Sequence, residues 1–174
     1  MLRVAFLSVL LVACAAFAGG STDSLKVDLD AVVEQGTVSP VDGITSAGQP
    51  DEAAFSVFAD SGYVAVIDMR TAGEDRGLDE PQVVEELGME YVSFPIGRND
   101  LKLEKAGELD ELLERFDGPV LLHCGSANRV GALLALREFL ESGDAEIAMQ
   151  LGKEGGLKSL EGEVQEALDA AASY

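Results

Sequence analysis

His123-Cys124-Gly125-Ser126-Ala127-Asn128-Arg129-Val130-Gly131 is the stretch whose reading decides the fold of this chain. Before it, Pro119-Val120-Leu121-Leu122 is a short apolar run bounded by Gly118, which predicts a buried strand. After it, Val130, Leu133, Leu134, Phe139 and Leu140 recur at helical spacing, which predicts a helix from Arg129 to about Glu141. A strand, a tight loop of small residues and a helix N-terminus aim several backbone N–H groups at one point. Oxyanions bind at such points, and a thiol placed there is drawn toward its reactive thiolate form. Arg129, five positions after Cys124, carries the planar fork that clamps two anion oxygens.

The chain has two cysteines, and Cys14 falls in an apolar leader. Cys124 is then the only thiol of the body. It has no internal disulfide partner, which marks it as a reactive group rather than a small core residue. His123 is the single histidine. A zinc site of the usual nitrogen and sulfur type is therefore excluded, as is a Ser-His-Asp triad with an independent histidine. No metal and no cofactor is expected.

Acidic residues number 32 against 12 basic ones, a formal net charge of −20. No basic stripe interrupts this, so nucleic acid and anionic membrane surfaces are excluded as partners. With 174 residues, 47% of them apolar, the chain suffices for one domain with a real core. A monomer is expected.

Met1-Leu2-Arg3 followed by the apolar run Val4 to Ala18 reads as a secretory signal, too short to span a membrane comfortably. Ala16-Phe17-Ala18 offers a signal cleavage site; Leu11-Val12-Ala13-Cys14 competes as a bacterial lipoprotein box in which Cys14 takes a lipid anchor. The expected protein is exported: periplasmic or secreted, or a membrane-anchored lipoprotein. Residues 1–18 are assigned to the signal, 19–39 to a tether and lead-in, and 40–174 to the functional domain.

Along that domain, strands at Tyr63 to Met69 and Glu90 to Ile96 alternate with helices. One helix opens at Pro50-Asp51-Glu52 and stops near Gly62, and another runs from Asp79-Glu80-Pro81 to Gly88. A third presents Leu109, Leu112, Leu113 and Phe116 on one face, and two more run over Asp144–Leu151 and Ser159–Ala172. A turn of helix is expected at Asp28 to Glu34. The pattern predicts an α/β fold, a mostly parallel central sheet flanked by helices. The reactive loop then sits at the carboxyl end of a central strand, where such folds place their sites.

From His123-Cys124 through Arg129 the chain resembles the cysteine-dependent tyrosine and dual-specificity phosphatases, over roughly residues 40 to 170. Ile44-Thr45-Ser46-Ala47-Gly48-Gln49-Pro50, Gly62, Val66-Ile67-Asp68-Met69-Arg70, and Leu157-Lys158-Ser159-Leu160 after Gly155-Gly156 look like the bacterial phosphatase-like domain found with β-lactamase-like hydrolases. The resemblance implies a dual-specificity-phosphatase-like fold and a phosphoric monoester hydrolase. Its substrate would be a phosphorylated small molecule or a phosphoprotein. Cys124 would attack phosphorus to form a phosphocysteine. Arg129 and the amides of Gly125, Ser126, Ala127 and Asn128 would hold the oxygens, with Asp100 as general acid. Arg98 and Asn99 would help place the substrate, and His123 would orient the loop. Asp75, Asp79 and Glu74 are the alternatives to Asp100.

Two departures from the phosphatase pattern matter. Four residues, not the usual five, separate Cys124 from Arg129, and Val130 stands where a Ser or Thr usually assists the departing thiolate. Four also occur in rhodanese-type sulfurtransferases, whose early strand Val66-Ile67-Asp68-Met69-Arg70-Thr71 resembles. No histidine precedes His123 to complete the Gly-His-Ile-Pro-Gly-type segment of that family. Sulfur transfer through a Cys124 persulfide, or a catalytically weak anion-binding domain, are the alternatives.

Overall fold

A computed structural model describes residues 24–97 and 99–172. The leader, Cys14 with both processing sites, and Arg98 lie outside the described residues. Four strands, β1 (Ile44–Ala47), β2 (Ala65–Asp68), β3 (Glu90–Ser93) and β4 (Val120–His123), form one sheet in the order β1-β4-β2-β3. Every pairing within it is parallel. β1, β2 and β4 are buried at each position, as the near-continuous apolar strands of a sheet covered on both faces must be. The lead-in borders β1, and β3 is the open edge, exposing Glu90 and Ser93, a polar margin that discourages further pairing. Its expected extension to Ile96 loses ladder register: Phe94 still donates to Asp68, but the Ile96 amide turns to Met69, one residue short of the regular partner.

Among the described residues seven helices cover the sheet: α1 (Leu29–Gln35), α2 (Glu52–Asp60), α3 (Glu80–Glu86), α4 (Leu103–Leu113), α5 (Asn128–Ser142), α6 (Ala145–Glu154) and α7 (Glu161–Ala172). Asp28, Asp51 and Asp144 cap α1, α2 and α6 by accepting first-turn amides. Successive strand residues face opposite ways, so each pair of apolar neighbours feeds two cores. Leu121 and Val66 join Phe55, Phe58 and Val84 beneath α1–α3. Leu122 and Ile67 join Leu109, Leu133, Leu136 and Leu168 beneath α4–α7. The lead-in takes part in this packing: Leu25 and Val32 are buried, and Val27 and Leu25 bond to Ser46 beside β1. No helix among the described residues is long and apolar enough to cross a membrane.

The register places Ala47, His123 and Asp68 level at the carboxyl edge of the sheet. The loop after β4 therefore leaves from between its two flanking strands. On its far side α5 meets α6 at Gly131, where a Cβ would stand 2.2 Å from the Leu157 nitrogen and 2.5 Å from the Gly152 oxygen. Only a hydrogen fits between these backbones.

Candidate active site

The Cys124 amide donates to the Ala47 carbonyl at 3.4 Å, and Gly48 pairs with Ser126, so the chain leaving β1 lies along the loop. Ala127 closes the loop at φ 65°, a left-handed conformation that costs a residue with a Cβ on the order of 1 kcal/mol. Ala127 also occupies the N-cap position of α5 and offers no side-chain acceptor. The first-turn amides of this 15-residue helix thus point at the loop without the aspartate that caps α1, α2 and α6. That leaves the positive end of the helix dipole for an anion.

Arg129 faces the same point and is held on one edge. Its Nη1 and Nη2 donate to the two carboxylate oxygens of Glu74 at 2.7 and 2.5 Å, and Nη1 also reaches the Met69 and Ile96 carbonyls at 3.2 and 3.3 Å. Glu74 is itself fixed by the Thr71 amide and hydroxyl at 2.7 and 3.0 Å. A guanidinium has two parallel-donor edges. Glu74 takes the Nη1–Nη2 edge. The edge formed by Nε and the second Nη2 hydrogen is left for the thiol and for an anion: Gly125 lies against Nη2, and Cys124 helps hold the Arg129 charge after Glu74 itself.

Hydrogen bonds from Arg129 lower the Glu74 carboxyl to about 2, against burial and with help from Thr71. A group ionised at that pH cannot give up a proton near neutrality, so Glu74 is a brace for Arg129 and not the general acid. Asp75 turns onto the Gly77 amide at 2.9 Å, and Asp79, at the head of α3, makes no side-chain cap. Asp100 is exposed and accepts the Gly97 amide at 2.8 Å.

A cavity of about 320 Å³ opens over this floor. Arg129, Glu74 and Thr71 supply its polar side, Ile96, Gly97, Leu101 and Leu160 its walls, and Ser126 and Asn128 its contribution from the loop. Asp100 belongs to the segment whose neighbours Gly97 and Leu101 form one wall. Asn99 is exposed beside it. Asn128 acts as a clasp: Oδ1 accepts the Lys158 amide at 2.7 Å and Nδ2 donates to Ser159 Oγ at 2.8 Å, which brings Leu160 to the rim. Of the expected oxyanion ligands, Ser126, Asn128 and Arg129 border the cavity; Gly125 is exposed, and Ala127 is buried with Cys124 behind them.

His123 is not beside the cavity. Its ring stacks edge-on to Phe55 in the other core, 6.1 Å between centroids, and Nε2 lies 2.6 Å from Glu80 Oε1. There it joins a buried ion cluster. Arg70 donates from Nε and Nη2 to Asp68 at 2.8 and 3.0 Å, and from Nη2 to Glu80. Arg76 and the Tyr91 hydroxyl complete Asp68 at 3.1 and 2.9 Å. Asp68, Glu80 and His123 bring ligand-type atoms within 4.8 Å of one another. The cation they hold is the Arg70 guanidinium.

The signal for this cluster was present in the sequence: an apolar strand run carrying Asp68 and Arg70 can bury those charges only as a pair. Burial opposes ionisation of Asp68, yet the bonds from Arg70, with His123 and Tyr91, overcome it and hold the carboxyl at about 2 against an ordinary 3.8. The folded-state value is depressed, so the stabilisation is present above the unfolded value and is lost as pH falls through the folded one. Stability to urea should therefore hold steady above about pH 5. It should then fall toward pH 2, with Asp68 contributing on the order of 2 kcal/mol. Asp68→Asn should flatten that acid limb; an unchanged slope would contradict the assignment.

A four-stranded parallel sheet between helices, with this loop at the end of its central strand, is the fold of the tyrosine and dual-specificity phosphatases. No family model matches the chain. It is 28% identical over 102 residues to a β-lactamase hydrolase-like protein of Agrobacterium fabrum, a match covering 56% of this chain and 24% of that protein. The chain thus spans about a quarter of the length of this curated relative. Among solved structures, a candidate phosphatase (DUF442) from Shewanella putrefaciens superposes with a TM-score of 0.57 at 22% identity, covering 74% of this chain and 83% of the other. Tk-PTP in its active form gives 0.57 at 21% identity, covering 72% and 88%.

Proposed function

We propose that the protein is a phosphatase that hydrolyses phosphomonoesters through a phosphocysteine at Cys124. The observation that carries this reading is the divided use of Arg129, one edge braced by Glu74 and the other left toward Cys124 and the uncapped start of α5. Phosphoryl transfer asks for this kind of rigid charge placement more than for covalent machinery. In the first step the Cys124 sulfur forms a bond to phosphorus as the ester oxygen leaves with a proton from Asp100. In the second, water attacks phosphorus, gives its proton to Asp100, and releases the thiolate with inorganic phosphate. The Asp100 carboxyl reaches the leaving oxygen by exchanging its bond to the Gly97 amide. Val130 offers no hydroxyl to the departing thiolate, so the second step is the slow one and the phosphocysteine accumulates.

In the same proposal the leader exports the protein to the periplasm or beyond, or anchors it by a lipid on Cys14. It acts there as a monomer on a phosphorylated small molecule or phosphoprotein.

Rapid quenching after mixing with phenyl phosphate, followed by mass spectrometry, should find one phosphoryl group on Cys124. A persulfide formed from thiosulfate, with no phosphoryl adduct, would establish sulfur transfer instead; the four-residue loop is what keeps that reading open. In kcat/KM, which reads the first step alone, Asp100→Asn should slow phenyl phosphate about 10²–10⁴-fold. An activated aryl ester, which leaves without a proton, should lose far less in kcat/KM. Equal losses of kcat/KM on the two esters would make Asp100 a structural turn residue.

A further inference from the structure

The three lysines without a carboxylate partner among the described residues stand on segments that adjoin the candidate site, though none lines its cavity. Every described arginine is ion-paired to a carboxylate, as are Lys105 and Lys153. Lys26, Lys102 and Lys158 are not, in a chain whose acidic residues exceed its basic ones by 20. They come from three separate segments. Lys26 belongs to the lead-in: its Cδ lies 2.9 Å from where a Cβ on Gly156 would stand, and the Ala127 Cβ lies 2.6 Å from the same point. Its stem therefore runs beside the last residue of the nucleophile loop. Lys158 donates its amide to Asn128 and stands two residues before the wall residue Leu160. Lys102 follows the wall residue Leu101 and leads into α4.

The charge balance of the site gives these lysines a role. Among the described residues Arg129 is the one cation lining the cavity, Glu74 matches it, and Asp100 adds a negative charge on the wall segment, so further positive charge for an anion has to come from neighbouring segments. Elsewhere the acidic surface repels anions, and uncompensated cations concentrate them. One phosphoryl group needs only the free edge of Arg129 and the helix amides. Three further cations exceed what a single phosphate requires. A cavity of about 320 Å³ sits at the small end of ligand pockets, sized for a compact carbon skeleton.

We infer that the substrate is a small bisphosphate, one phosphoryl group set over Cys124 and the second held at the rim among Lys26, Lys102 and Lys158. The inference rests on the phosphatase reading for turnover, and its test separates the two. Fructose 1,6-bisphosphate and fructose 6-phosphate serve as probes. At low ionic strength kcat/KM should favour the bisphosphate about tenfold or more, a preference that shrinks with added salt. The combined variant Lys26→Gln, Lys102→Gln, Lys158→Gln should bring the ratio close to one. Lys153→Gln, which removes a paired lysine, should leave it unmoved. A wild-type ratio near one, or a high ratio that survives the combined variant, overturns the inference. Calorimetry on Cys124→Ser with the same two sugars reads affinity without turnover. Tighter bisphosphate binding with no hydrolysis of either sugar by the wild type would retain the inference and reject the phosphatase reading. Equal affinities would reject the inference alone. Preference for a phosphotyrosyl peptide with acidic flanks over the bisphosphate would overturn the assignment to a small molecule.

Discussion

Cys124→Ser should lower kcat for aryl phosphates by about 10⁴–10⁶-fold, the scale on which removal of a nucleophile is felt. Inorganic phosphate should still bind within a few-fold of wild-type affinity. On the proposed mechanism the two readouts separate because the anion seat does not depend on sulfur: the start of α5 and the free edge of Arg129 make it. Arg129→Ala should lose both together, since the guanidinium acts on the bound phosphate and on the transition state alike. Its loss also releases Glu74 and the carbonyls of Met69 and Ile96, so the walls on both sides of the cavity lose a common tie. Steady-state rates with titration calorimetry on both variants decide this. Near-normal turnover by Cys124→Ser would place the hydrolysis elsewhere in the chain.

Gly131→Ala should unfold the protein or cost it about 3 kcal/mol or more, a large share of the roughly 5–15 kcal/mol that holds a domain together. The added methyl meets backbone atoms of Leu157, Gly152 and Gly156, none of which can rotate aside. Helix propensity alone predicts the opposite sign, a gain of about 1 kcal/mol. Gly107, in α4, has nothing within 4 Å of its absent Cβ, and Gly107→Ala should show that gain undisturbed. Urea unfolding of the two variants against wild type gives the comparison. A neutral Gly131→Ala would mean that α5 and α6 can separate without harm.

The strand, loop and helix around Cys124 were legible because each announces itself locally: an apolar run, a cluster of small residues, then a 3.6-residue period. The parallel sheet followed from the alternation of such segments. The partners of the site were less visible. Glu74 stands out in sequence only as an acid near a strand end, and it was weighed as a proton donor. Its distance from Arg129 closes only when the loop after β2 folds across the sheet edge. Asp68 and His123 end two strands, Arg70 lies just past the first and Glu80 opens a helix, and no local period links them. Register brings them together, and register is a property of the assembled sheet. Asp100 stands out in sequence by its place after β3; the structure puts it on a wall segment, turned onto its own loop.

His123 and Cys124 are covalent neighbours that live in different surroundings. The imidazole lies under α1–α3 with the buried charges, and the thiol lies under α4–α7 with the aliphatic core. The sheet separates this store of fixed charge from the cavity except at one place: Arg76 bonds both to Asp68 in the cluster and to the carbonyl of Glu74, the brace of Arg129. A redesign can therefore exchange the walls contributed from the α4–α7 side, whereas Thr71 and Glu74, on the loop after β2, stay coupled to the ions that anchor the sheet. The molecule comes already divided into a half that can be rebuilt and a half that must be left alone, with Arg76 on the boundary.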